Sequence, residues 1–257
     1  MATSKKSNGA RFFEELNAAI NPVVFARRLG FDTLDKWQER LLVSQHKRLI
    51  MNVCRQGGKS AMASIIALHT ALYTPESLIL ILSPSLRQSG EIFKTIMGFY
   101  QQLNKPIKPI QETALTLKLK NGSRILSLPS KEATVRGFSH VSLIIIDEAA
   151  RVPDELYISV RPMLAVSDGR LILLSTPFGK AGFFFETWHE GESWERYKAT
   201  ANECPRIDPA FLEQERIALG QWFYRQEYEA SFEENEAAFF DYEEIEAALS
   251  DEIEPIY

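Results

Sequence analysis

LIMNVCRQGGKSAMASIIALHTAL, residues 49–72, decides how the rest of the chain is read. An apolar run (49–53) leads into a short loop and then into a stretch of helix formers. The loop, VCRQGGKS (53–60), follows the phosphate-binding pattern G-x-x-x-x-G-K-[ST] except at its first position, where Val53 stands for the glycine. Such a loop works because consecutive backbone N–H groups and a helix N-terminus face a phosphate, a lysine reaches it and a hydroxyl holds magnesium. The chemically required members are present: Gly57 and Gly58 for close backbone approach, Lys59 for charge, Ser60 as metal ligand. A plain strand-to-helix turn fits the same letters, so other segments must decide.

Three further runs, LILILS (78–83), LIIID (143–147) and LILLST (171–176), are apolar at almost every position. Strands of that kind are buried on both faces, which predicts an α/β fold with a mostly parallel sheet flanked by helices. TALTLKLKNGSRILSLP (113–129) instead alternates with period two about Asn121-Gly122, the pattern of a β-hairpin at or near a sheet edge. Before the loop, residues 11–31 read as short helices broken at Asn21-Pro22, and Asp32-Thr33 is expected to cap a helix through 34–45. After it, Asp208-Pro209 opens a helix closed by Gly220, WFYRQEYEASF (222–232) follows, and Asp241 with Glu244 forms a capping box for 242–250. This divides the chain into an α/β core over 1–201 and a small helical subdomain over 202–257.

LIIIDEAA (143–150) ends an apolar strand in two adjacent carboxylates. Hydrolysis of a nucleoside triphosphate needs such a pair, Asp147 to hold the metal shell and Glu148 to polarise the attacking water. LILLSTPFG (171–179) ends another strand in hydroxyls, and Ser175 and Thr176 would lie beside the γ-phosphate at the carboxyl edge of the sheet, where open α/β sheets bind ligands. A turn that uses Ser-Thr-Pro for geometry alone fits this last segment equally.

Composition narrows the classes. Across 257 residues no run reaches the roughly 18 apolar residues of a membrane span, and the polar start MATSKKSNGARFF lacks the centre of a signal peptide, so a cytosolic setting is expected. Two cysteines, Cys54 and Cys204, give no disulfide framework, and His46, His69, His140 and His189 show no zinc spacing. The net charge of −5 hides an asymmetry: residues 203–257 hold 16 acidic and 3 basic side chains (net −13), leaving 1–202 at net +8. A basic body is compatible with a polyanionic partner; a solvated helical face accounts for an acidic tail.

Taken together, RQGGKS after a non-glycine, LIIIDEAA, LLSTPFG followed by aromatics, and the stretch 198–232 resemble the ATPase domain of the large terminase subunit, the DNA-packaging motor of tailed bacteriophages. The resemblance runs from about residue 35 to about residue 240. It implies a P-loop NTPase of the additional-strand, catalytic-glutamate type that uses ATP and Mg2+, and it makes Val53 the expected residue, because family members commonly lack the first glycine. It further implies an adenine-reading Gln38, a loop Arg55 that senses the γ-phosphate or contacts a helix end, phosphate contacts from Gln56 to Ser60, and a coupling Thr176. Arg136, in KEATVRGFSH (131–140), matches an arginine finger inserted into a neighbour's site. The implied partners are double-stranded DNA, further copies in a homo-oligomeric ring, a portal and a small terminase subunit. No membrane is involved, and the implied setting is the host cytoplasm at the procapsid vertex. Full-length family members carry a nuclease domain after this region; with the sequence ending at Tyr257, the expectation is the motor portion without DNA cleavage. A helicase of superfamily 1 or 2 shares the glutamine, loop and Asp-Glu elements but needs a second α/β domain. A nucleotide-dependent scaffold that does not hydrolyse would not need Glu148.

Overall fold

The computed structural model describes residues 8–129, 135 and 137–234. Its strands are β1 (Arg48–Val53), β2 (Leu78–Ser83), β3 (Pro109–Glu112), β4 (Thr116–Leu119), β5 (Arg124–Pro129), β6 (Leu143–Asp147), β7 (Arg170–Ser175) and β8 (Glu195–Ala199). They form one sheet in the order β3-β4-β5-β2-β6-β7-β1-β8. From β5 to β8 every pairing is parallel, and only β3 with β4 and β4 with β5 run antiparallel.

The helices are α1 (Asn8–Ile20), α2 (Pro22–Arg28), α3 (Lys36–Val43), α4 (Lys59–Tyr73), α5 (Leu86–Gln102), α6 (Asp154–Val160), α7 (Gly182–Glu190) and α8 (Pro209–Tyr228). The unbroken apolar runs are explained by the two cores. Leu49, Met51, Ile79, Ile81, Ile145 and Leu174 face one side, against Met62, Ile65 and Leu68 of α4 and Phe93 and Ile96 of α5. The alternate residues Ile50, Leu80, Leu82, Ile144, Ile146 and Leu173 face the other, against Val160, Leu164 and Phe184. A strand with helices on both faces has no solvent side on which to place polar residues.

The expected hairpin is present as β4 and β5. Gly122 turns it at φ +87, and Asn121 anchors the turn by donating from Nδ2 to the Ala71 carbonyl at 2.9 Å. Two features differ from the sequence expectation. The N-cap of α3 is Asp35, not Asp32-Thr33, because Gln38 three residues on returns its Oε1 to the Asp35 N–H at 3.0 Å. Strand β8 was not among the expected strands; as an edge strand it alternates buried Tyr197 and Ala199 with exposed Lys198, so no apolar run marks it. As expected, Gly220 closes the helical stretch opened at Pro209: at φ 73 and ψ 164 it is non-helical, and α8 is two helical stretches that meet there at a kink. The capping box expected at Asp241 and Glu244 lies outside the described residues, as does the 235–257 part of the helical subdomain. No helix among the described residues is long and apolar enough to cross a membrane.

Candidate active site

Strand β1 ends at Val53 and α4 begins at Lys59, so the loop between them opens on the carboxyl edge of the sheet. Its shape depends on two glycines. A Cβ on Gly57 would come 2.5 Å from Val53 Cγ1 and 3.0 Å from Cys54 Sγ, and Gly58 turns the chain into α4 at φ +94. The loop is stitched to later parts of the chain: Cys54 N–H donates to the Ala199 carbonyl at 2.9 Å and Arg55 N–H to the Glu227 carbonyl at 2.8 Å. The Gly57 carbonyl accepts from Gln38 Nε2 at 3.4 Å and from Arg206 Nη2 at 3.3 Å. Arg206 in turn grips Asp35 with both terminal nitrogens, at 3.1 and 2.7 Å. Cys54 and Cys204 pack thiol to thiol at 3.9 Å, and the hydrogen bond with Cys204, with burial, pushes the Cys54 thiol up, so it stays protonated.

The second wall comes from β6 and β7. Asp147 ends β6 only 6% exposed, and its Oδ1 has no hydrogen-bond partner. Burial first, and the charge of Glu148 second, push its carboxyl up to about 7, against the pull of Lys59 and a backbone hydrogen bond. Glu148 sits at φ 49 and ψ 42, a left-handed conformation that costs a non-glycine residue about 1–3 kcal/mol and is kept only where the surroundings impose it. Here the imposing element is a turn of 3-10 helix, Ala149–Arg151, closed by Arg151 N–H on the Glu148 carbonyl at 2.8 Å. The Glu148 carboxylate accepts from Arg151 Nη1 at 3.1 Å and from Ser175 Oγ at 3.5 Å. Arg151 Nη1 also reaches Thr176 Oγ1 at 3.4 Å, and its guanidinium lies 4.5 Å from the centre of the Phe178 ring.

The structure therefore gathers the loop 55–60, Asp147, Glu148 and Thr176 at the ends of β1, β6 and β7. Gln38 is under the loop, 3% exposed, with both ends of its amide engaged inside the protein. Arg55 projects at the loop's outer side, 3.8 Å from Glu227. Beside it, Arg55, Gln56, Arg206, Phe211 and Tyr228 line a cavity of about 590 Å³. Arg136 lies outside the described residues. Sequence reasoning missed Arg151, Arg206 and Glu227. The first stands three residues after Glu148, a spacing that predicts a same-face ion pair; the other two reach the loop from more than a hundred residues away and leave no local signal.

A magnesium site fits what is present: a buried carboxylate oxygen without a partner, at the end of a strand facing Lys59 and the start of α4. Among the described residues no cluster of three or more His, Cys, Asp or Glu side chains forms an all-protein metal cage. Magnesium bound through one carboxylate and substrate phosphates does not need one.

Strand β7 is inserted between the loop strand β1 and the carboxylate strand β6, paired in parallel with both. A Gly-Gly-Lys-Ser loop, an Asp-Glu strand end and an additional strand between them give the chain the fold of the P-loop NTPases of the additional-strand type. Residues 50–247 match the family model described as "Terminase large subunit, T4likevirus-type, N-terminal", and the chain belongs to that family. It is 25% identical over 205 residues to the large terminase subunit of Escherichia phage T5, covering 77% of this chain and 46% of that protein. With the large subunit of Thermus phage G20c it shares 27% over 160 residues, 55% of this chain and 33% of the relative. It thus spans less than half the length of these relatives. The large terminase ATPase domain of Thermus phage P74-26 has the same fold, with a TM-score of 0.72 at 23% identity over 81% of this chain and 97% of that one. So does the large terminase of a thermophilic bacteriophage in complex with ADP, with a TM-score of 0.64 at 12% identity over 78% of this chain and 54% of that one.

Proposed function

We propose that this chain hydrolyses ATP in the presence of Mg2+ and uses the energy to move double-stranded viral DNA into a capsid. The observation that carries this reading is the meeting, at one sheet edge, of the Gly-Gly-Lys-Ser loop with a buried unpartnered Asp147 oxygen and a strained Glu148. The phosphates of ATP lie along the loop N–H groups and the start of α4, with Lys59 supplying charge to the γ-phosphate. Ser60 and Asp147 would hold the magnesium, which neutralises charge on the phosphate oxygens when bound. Glu148 orients a water against the γ-phosphorus and takes its proton; the water oxygen bonds to phosphorus, the bond to the bridging oxygen breaks, and ADP leaves with phosphate. The cavity beside Arg55, lined by Phe211 and Tyr228, would receive the base.

In the same reading Arg136 supplies a finger to the neighbour's site in a homo-oligomeric ring, and DNA is held through its phosphates without reading of bases. The ring works on the portal at the procapsid vertex in the host cytoplasm, loaded by a small terminase subunit. The test is steady-state hydrolysis by wild type and by folded Lys59→Ala and Glu148→Gln. Loss of turnover by at least about 100-fold in both is expected, with ATP binding kept in Glu148→Gln. Unchanged turnover in Lys59→Ala rejects the proposal.

A further inference from the structure

We propose that Arg151 is a positioning residue that ties Glu148 to helix α8 through Glu227, so that the position of that helix is read at the carboxylate that activates water. The inference rests on the ATPase reading above. Four charges alternate along one line. Arg55 Nη1 is 3.8 Å from Glu227 Oε2, Arg151 Nη2 is 3.8 Å from Glu227 Oε1, and Arg151 Nη1 is 3.1 Å from Glu148 Oε2. The line starts on the phosphate loop, crosses α8 and ends on the catalytic turn, three segments that are distant in sequence.

The contacts differ in kind, and the difference gives the line a direction. At 3.1 Å the Arg151–Glu148 contact is a hydrogen-bonded ion pair, whereas two contacts at 3.8 Å make Glu227 a carboxylate shared loosely by two cations. The Phe178 ring beneath the guanidinium and the Thr176 hydroxyl at its edge fix the plane of Arg151, so its two nitrogens point to two different carboxylates. A shift of α8 that withdraws Glu227 removes one of the two anions holding Arg151 and leaves the guanidinium to Glu148 alone. A shift that brings Glu227 closer draws Arg151 away from Glu148. The backbone N–H of Arg151 closes the turn that keeps Glu148 left-handed, so the side chain reaches for the Glu148 carboxylate from a fixed base.

The test joins hydrolysis kinetics to amide hydrogen exchange on the nucleotide-free chain, for Arg151→Gln, Arg151→Lys and Glu227→Gln. In Arg151→Gln, kcat is expected to fall about 10- to 100-fold while KM for ATP stays within about twofold, because the residue acts through Glu148 and not on bound nucleotide. Arg151→Lys recovers only part of kcat, since a single ammonium cannot hold both carboxylates. Exchange is expected to quicken in Arg151→Gln at both 148–152 and 223–229, and in Glu227→Gln at 148–152 although that change lies on another element. Faster exchange confined to 148–152 in Arg151→Gln, or an unchanged kcat, overturns the inference. If Arg151→Gln does not fold, Arg151→Lys and Glu227→Gln carry the same comparison. Should wild type hydrolyse no ATP, the ATPase reading fails, and the exchange pattern alone then decides whether Arg151 links the two segments.

Discussion

Replacing Asp147 by asparagine is expected to stabilise the metal-free chain while abolishing the proposed ATP hydrolysis. A carboxyl pushed from 3.8 to about 7 is one whose ionised form the folded protein disfavours. At about 1.4 kcal/mol per pH unit, the ionised side chain costs at most about 4 kcal/mol at pH 8. The replacing amide carries no charge but leaves a buried polar atom short of a partner, a penalty of about 1–3 kcal/mol. The net gain is therefore about 1–3 kcal/mol, or roughly 2–10 °C in Tm for a chain of this size. The sign with pH follows from which state holds the proton. Between pH 4 and 7 folded Asp147 is protonated and unfolded Asp147 is not, so wild-type stability falls as pH rises through that window. The advantage of Asp147→Asn should be full above pH 7 and shrink towards pH 4. Thermal unfolding in EDTA at pH 5, 6, 7 and 8 measures it, and repeating the series with Mg2+ and ATP should narrow or reverse the ranking, because wild type, which keeps the Asp147 metal ligand, gains more from the ligands. A Tm for Asp147→Asn at or below wild type at pH 8 without metal, or a difference that does not vary with pH, refutes the reasoning.

Two further variants probe how the loop is held. Gly57→Ala drives a methyl to 2.5 Å from Val53 Cγ1 in a fully buried strand end, so a loss of about 1–3 kcal/mol in chemical denaturation is expected, together with weaker binding of a fluorescent ATP analogue. Arg206→Ala leaves Asp35, whose side chain is 10% exposed, without its ion-pair partner and removes one donor from the Gly57 carbonyl. Because Arg206 is itself half exposed, a cost of only about 1 kcal/mol is expected, with a KM for ATP raised several-fold and kcat little changed; a fall in kcat at unchanged KM would show that Arg206 does not act through the loop.

The central strands were legible because burial on both faces leaves one signature, an unbroken apolar run, and LILILS and LIIID became β2 and β6 with the expected ends. The edge strands were not. β3 is four residues long and largely exposed, and β8 alternates as a surface strand does, so neither carries that signature. Within the site, Lys59, Ser60, Asp147, Glu148 and Thr176 could be named because each belongs to a contiguous motif whose chemistry constrains neighbouring letters. Arg206 and Glu227 could not, because what selects them is the position of another segment's carbonyl or guanidinium. Gln38 is instructive: its place beneath the loop could not be read from DKWQERLL, since a surface glutamine and one that caps its own helix are written alike.

The backbone bonds from Cys54 to Ala199 and from Arg55 to Glu227 also set an order of events in folding. Strands β2, β6 and β7 can assemble with β1 once the chain has been made as far as Ser175, but the loop after β1 has no anchor until β8 docks and α8 returns. Closing such long loops is slow because chain entropy is lost before the contact repays it. A growing chain halted after β7 would possess its sheet centre and both lysine and carboxylates, yet have no fixed cradle for a phosphate. On the proposed reading, the cradle for a nucleotide therefore forms only after α8 has docked.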